Sequence, residues 1–187
     1  MKFRWLLVFA PGVAVAKPAS SQVSVYADFS ASKLTGGLVN PTTNVLYGPT
    51  IGLTAVLGTK KNLVLSGDLR TGFYGNGARL SQAAVGPKLG LNVRNFQAYT
   101  EILVGFGRYN NGTGAASTDA QTEVNCGLDL RGKGILDWRV FDFGYEQYYG
   151  LGGIYNPKTF STGIVIHLGG DTHVAAGSTK TGGKSKI

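Results

Sequence analysis

Carboxylates dominate the residues that could do chemistry. Of the chain's ten acidic residues, Asp28, Asp68, Glu101, Glu123, Asp129, Asp142 and Glu146 each fall on the polar side of an alternating apolar/polar segment, and Arg70, Lys88 and Arg131 share that side. Carboxylates and cations on one face can do two kinds of work. They can form a proton path or an acid/base pair, or they can fill a narrow interior with ion pairs and hydrogen bonds. An unpaired buried charge costs several kcal/mol, so a small interior favours the second reading, a charged network holding these ten residues.

Other reactive sets are thin. The histidines are His167, at the end of the last alternating segment, and His173, in a Gly/Ser/Thr/Lys-rich stretch. His167 is expected to be inward and hydrogen-bonded rather than a catalytic base. The lone Cys126 occupies an apolar strand position and reads as a small hydrophobe. One cysteine and two distant histidines do not make a metal-ligand set, no Gly-x-Ser-x-Gly elbow is present, and no cofactor is expected. The sequence predicts a non-enzyme.

The elements that must position the charges are read from the period-two pattern. Eight segments alternate, near 22–32, 47–58, 62–74, 79–92, 95–108, 118–131, 138–149 and 158–169. In the third, for example, Leu63, Leu65, Leu69 and Phe73 oppose Ser66, Asp68 and Arg70. Glycines on the polar side, among them Gly52, Gly86, Gly90, Gly105, Gly127 and Gly144, make room for large neighbours. The links at 58–61, 92–94 and 132–137 are short. Those at 34–46, 75–78, 109–117 and 150–157 are longer on average and rich in Gly, Asn and Thr. Aromatics gather at segment ends: Tyr47, Phe73, Tyr74, Phe106, Tyr109, Tyr148, Tyr149 and Tyr155 toward the longer links, Phe96 and Trp138 toward the short ones. Such a distribution predicts a girdle at a membrane boundary.

Composition agrees. Only 15% of the 187 residues are charged and 29 are glycine, an unusual pairing for a soluble domain, where about 25% are charged. The formal net charge of +8 is scattered over turns and ends, without the dense basic patch of a nucleic-acid partner. Residues 1–16, with Lys2 and Arg4 before an apolar stretch and Ala14-Val15-Ala16 after it, read as a signal peptide. The barrel is expected over 17–169 and a flexible basic tail over 170–187. The fold class is therefore all-β, an eight-stranded antiparallel up-and-down transmembrane β-barrel, since only helices and closed barrels satisfy their backbone groups in lipid.

The leader, the eight strands, the link asymmetry and the ending Ser161-Thr162-Gly163-Ile164-Val165-Ile166-His167-Leu168-Gly169 together resemble the OmpA/OmpX-like outer-membrane β-barrel domain family. One departure is that the last strand ends in Leu168 and is followed by a tail, where many such barrels finish on an aromatic. The resemblance implies export to the outer membrane, with membrane lipid and the outer-membrane assembly machinery as partners, and a structural or surface-interaction role carried by the long loops. The alternatives are a soluble secreted lipocalin-like barrel with an apolar interior, and, ranked lower, a small pore or a lipid-modifying barrel enzyme.

Overall fold

The computed structural model describes residues 22–35, 44–112, 116–132, 134–150 and 156–168. The expected leader at 1–16, the tail at 170–187 and Tyr155 lie outside them. Eight strands follow one another in the chain: β1 (Val23–Lys33), β2 (Val45–Lys60), β3 (Leu63–Asn76), β4 (Ala78–Val93), β5 (Phe96–Asn110), β6 (Ala116–Leu130), β7 (Leu136–Tyr149) and β8 (Lys158–Leu168). Each pairs antiparallel with its neighbours, and β8 returns to pair with β1 from Val23↔Leu168 to Lys33↔Lys158, closing the barrel. Closure leaves no strand edge unpaired.

Alternation along each strand decides which side chains face the lumen. In β3, Val64, Ser66, Asp68, Arg70 and Tyr74 are buried, while Leu63, Leu65, Leu69 and Phe73 are exposed. The same holds around the barrel: Phe29, Phe106, Val85, Ile102 and Val124 point outward. A belt of leucine, valine and phenylalanine on the outer surface and charge within is the polarity of a barrel solvated by lipid. It removes the lipocalin-like alternative, which requires the apolar residues inside. Cys126 is on this outer face.

The hairpins at one end are tight. Lys61-Asn62 joins β2 to β3 and Arg94-Asn95 joins β4 to β5, with Lys61 and Arg94 at φ 55° and 50°. A five-residue link, 131–135, joins β6 to β7. At the opposite end the long links are 34–44 and 150–157, whereas β3 and β4 are joined through Gly77 alone. The asymmetry expected from the sequence thus rests on the first and last loops.

The girdle expectation needs correction. Tyr47, Phe73, Phe106 and Tyr149 do face outward near the loop end, as Phe96 and Trp138 do near the turn end. Tyr74 and Tyr148, each 3% exposed, face the lumen instead, and Tyr109 packs beside them. With Leu34, Leu46, Ala78 and Leu80 they form an apolar plug across the loop end of the barrel. Their positions share the strand phase of Arg70 and Glu146, and that phase fixes the side they face.

Candidate functional site

The lumen is built in three layers. Below the apolar plug lies a charged middle layer organised by two arginines. Arg70, on β3, reaches Glu101 on β5 (2.5 Å), Glu123 on β6 (3.0 Å) and Asp142 on β7 (2.5 Å). Its Nε also donates to the Tyr26 hydroxyl (3.2 Å), which in turn donates to Asp68 (2.8 Å). Arg139, on β7, pairs with Asp28 on β1 (2.9 Å) and Asp129 on β6 (3.1 Å), and lies 3.7 Å from Asp142. Each guanidinium therefore ties together strands from across the barrel, a task suited to its fork of donors.

Of the sequence-predicted residues, Asp28, Asp68, Arg70, Lys88, Glu101, Glu123, Asp129, Asp142 and Glu146 are buried in the lumen. Glu146 stands apart from both arginines, toward the plug, where it accepts from Gln82 (3.2 Å), Thr159 (2.9 Å) and the Tyr148 hydroxyl (3.1 Å). Lys88 joins no carboxylate pair; its ammonium lies 3.6 Å from the Tyr99 ring centroid. Arg131 sits half-buried just past the end of β6.

Two functional residues escape strict alternation. Arg139 is wholly buried although its odd position in β7 opposes that of Asp142 and Glu146. The register slips between Arg139 and Asp142, so that Val140 and Phe141 both stay off the lumen, and the Thr162 hydroxyl donates to the Arg139 carbonyl (2.9 Å) at the irregularity. Two consecutive apolar residues in an otherwise alternating strand are the sequence signal of this change of phase. Asp137, read as part of a turn, is instead the second residue of β7 and buried.

Buried tyrosines rest on glycines. Tyr26 faces Gly52 in register and Tyr99 faces Gly127, and a Cβ at either glycine would overlap the ring. Glycine is required there by close approach.

At the turn end the Ser24 hydroxyl lies 2.7 Å from Nδ1 of His167, and Nε2 of His167 lies 2.8 Å from Asp137. Asp137 also accepts from the Gly132 backbone N–H (2.9 Å). These are the residue types of a hydrolytic triad, but the ring is turned the other way. In such triads the hydroxyl meets Nε2 and the carboxylate Nδ1. Here Ser24 and His167 are direct cross-strand partners, and the row pins β7 and β8 to β1 at the barrel mouth. Among the described residues, no group of three or more His, Cys, Asp or Glu side chains is arranged to hold a metal ion.

No protein-family model and no curated protein matches the sequence. Solved structures match the fold. The chain is similar to the Neisserial surface protein A, with a TM-score of 0.56 at 16% identity over 77% of this chain and 96% of that one. It is similar to Ail, the attachment invasion locus protein of Yersinia pestis, with a TM-score of 0.52 at 10% identity over 78% and 99%. The N-terminal β-barrel domain of Pseudomonas aeruginosa OprF gives 0.50 at 13% identity over 79% and 99%. At these identities the likeness concerns the fold, which is that of eight-stranded transmembrane outer-membrane barrels.

Proposed function

We propose that the protein resides in an outer membrane as a non-enzymatic barrel of OmpA/OmpX-like type, with a structural or surface-interaction role exerted through its long loops. Membrane lipid surrounds the apolar belt, and the outer-membrane assembly machinery inserts the chain. The observation that carries this reading is the packed lumen. Arg70 on β3 and Arg139 on β7 bind five carboxylates carried by β1, β5, β6 and β7, and the apolar plug fills the loop end. A lumen spent on cross-strand ties leaves the loops as the part able to meet a partner, as fold alone does not assign function. The names of two similar structures, a surface protein and an attachment invasion locus protein, accord with a surface role.

The test has two arms. The full chain, extracted from envelopes, is run on gels boiled and unboiled and then reconstituted for single-channel recording. Faster migration when unboiled, with no porin-like conductance, is expected; passage of large solutes would contradict the filled lumen. The second arm addresses catalysis at Ser24. A fluorophosphonate probe is expected to leave the folded protein unlabelled, and labelling abolished by Ser24→Ala would overturn the non-enzymatic reading.

A further inference from the structure

The turn end of the lumen is a cavity of about 70 Å³. About 10–15 Å³ of such space holds one water, so there is room for several waters or one small polyatomic ion. Its wall carries four cations, Lys61, Lys88, Arg131 and Arg139, against two carboxylates, Asp129 and Asp137. Both carboxylates are already engaged, Asp129 by Nε of Arg139 (3.1 Å) and Asp137 by His167 and the Gly132 N–H. The cations are less fully used. Nη2 of Arg139 is buried without a hydrogen-bond partner.

Lys88 is the sharper case. It is 5% exposed and stands opposite Glu101 in register, so an ion pair across β4 and β5 is within reach. Glu101 goes instead to Arg70 and Asn125, and no carboxylate among the described residues comes within ion-pair distance of the Lys88 nitrogen. The Tyr99 ring offers its face as partial compensation. A buried ammonium in no direct ion pair, with Glu101 and Asp142 acting on it only at longer range, is incompletely compensated, and an anion entering the cavity it lines would complete its contacts. Ser24, Thr54, Ser66, Asn92 and Gln97 add neutral polar groups to the same wall. The excess of carboxylates in the lumen lies deeper, around Arg70 and Arg139, where Glu101 Oε2, Glu123 Oε2 and Asp142 Oδ1 accept no hydrogen bond.

We propose that this vestibule is a binding site for a small oxyanion of phosphate or carboxylate chemistry, entering from the turn side, with Lys88 as the buried anchor and Arg131 as the outer contact. The site is independent of the loop-based role above. It is tested on the full chain, isotope-labelled and reconstituted in lipid nanodiscs, by nuclear magnetic resonance titration with inorganic phosphate and separately with acetate. Saturable shifts at Ser24, Lys88 and Arg131 are expected, with Leu46 and Tyr74 in the plug unmoved. Saturation by phosphate alone identifies the doubly charged ion as the ligand, and saturation by both identifies the shared oxyanion chemistry. Lys88→Met is expected to weaken binding about tenfold or more, as for loss of a charge-assisted hydrogen bond. Arg131→Gln, outside the strands and safe for folding, is expected to weaken it by a smaller factor. Gel mobility of unboiled samples verifies that each variant is folded. If Lys88→Met does not fold, Arg131→Gln decides alone. Absence of saturable shifts with both anions, or unchanged affinity in a folded variant that decides, overturns the proposal.

Discussion

The two ends of the lumen solve the same problem in opposite ways. At the loop end, Leu34, Leu46, Tyr74, Ala78, Leu80 and Tyr148 exclude water by packing, and the space left beside Leu80 and Tyr148 is only about 10 Å³. At the turn end a polar cavity of about 70 Å³ is left, walled by cations, hydroxyls and amides. The barrel is thus a cup rather than a tube, closed by apolar packing on the side of the long loops and open to water on the side of the tight hairpins. The difference teaches where stability and where exchange with solvent should lie. Close-packed apolar contact resists substitution strongly, while a hydrated polar wall tolerates it, because water replaces a lost partner.

The largest expected effect is in the layer between the ends. Arg70→Met removes the cation that Glu101, Glu123 and Asp142 share and leaves buried carboxylates uncompensated, at a cost of about 3–5 kcal/mol. Urea unfolding of the barrel in lipid vesicles measures it. A loss below about 1 kcal/mol would mean that the middle layer holds its carboxylates as neutral acids, and the layer would then resemble the plug more than an ionic network. Next comes the plug itself. Leu46 is fully buried, and Leu46→Ala is expected to cost about 2–4 kcal/mol in the same assay. His167→Gln, at the turn end, keeps a polar group beside Ser24 and Asp137 and is expected to cost no more than about 1 kcal/mol. Equal losses for Leu46→Ala and His167→Gln would erase the contrast between the ends.

Much of this layering was legible in the sequence, and the exceptions have physical causes. A strand's period of two is imposed by the backbone, so the inward positions of Asp28, Asp68, Arg70 and Glu146 follow from their neighbours' hydrophobicity. The same rule applied to Tyr74 and Tyr148 places them inside. Reading them as girdle residues gave weight to their nearness to strand ends, which is a preference and not a geometric constraint. Arg139 was hidden for the opposite reason. Period two breaks where β7 slips register between Arg139 and Asp142, and an isolated strand does not reveal which partner it slips against. The Val140-Phe141 pair marks the break, but only the pairings with β6 and β8 show that the arginine gains the lumen by it. The Ser24–His167–Asp137 row depends on three segments meeting at the barrel mouth, information that appears only once β8 closes on β1. The plug and vestibule likewise arise from side chains of distant strands converging at one height, which no single segment specifies.

The backbone repeats the contrast between the ends, and there the smallest effect is expected. On the loop side, the described left-handed residues are Gly77 and Gly112, at φ 74° and 81°, where glycine adopts the conformation without steric cost. On the turn side Gly134, at φ 88°, does the same in the 131–135 link, but Lys61 and Arg94 hold positive φ with full side chains in two-residue hairpins, a conformation that costs a non-glycine residue about 1–2 kcal/mol. Both sit immediately before an asparagine. Replacing Arg94 with asparagine, which tolerates the left-handed region better, relieves part of that strain without the added chain entropy of glycine. Arg94→Asn is expected to raise the unfolding free energy by about 0.5 kcal/mol, and Gly77→Ala to lower it by about 1 kcal/mol. Vesicle unfolding curves of the two variants side by side measure the difference. If Arg94→Asn destabilises while Gly77→Ala is neutral, the charge at the hairpin outweighs its backbone strain, and the turn end is held by the membrane surface rather than by its own geometry.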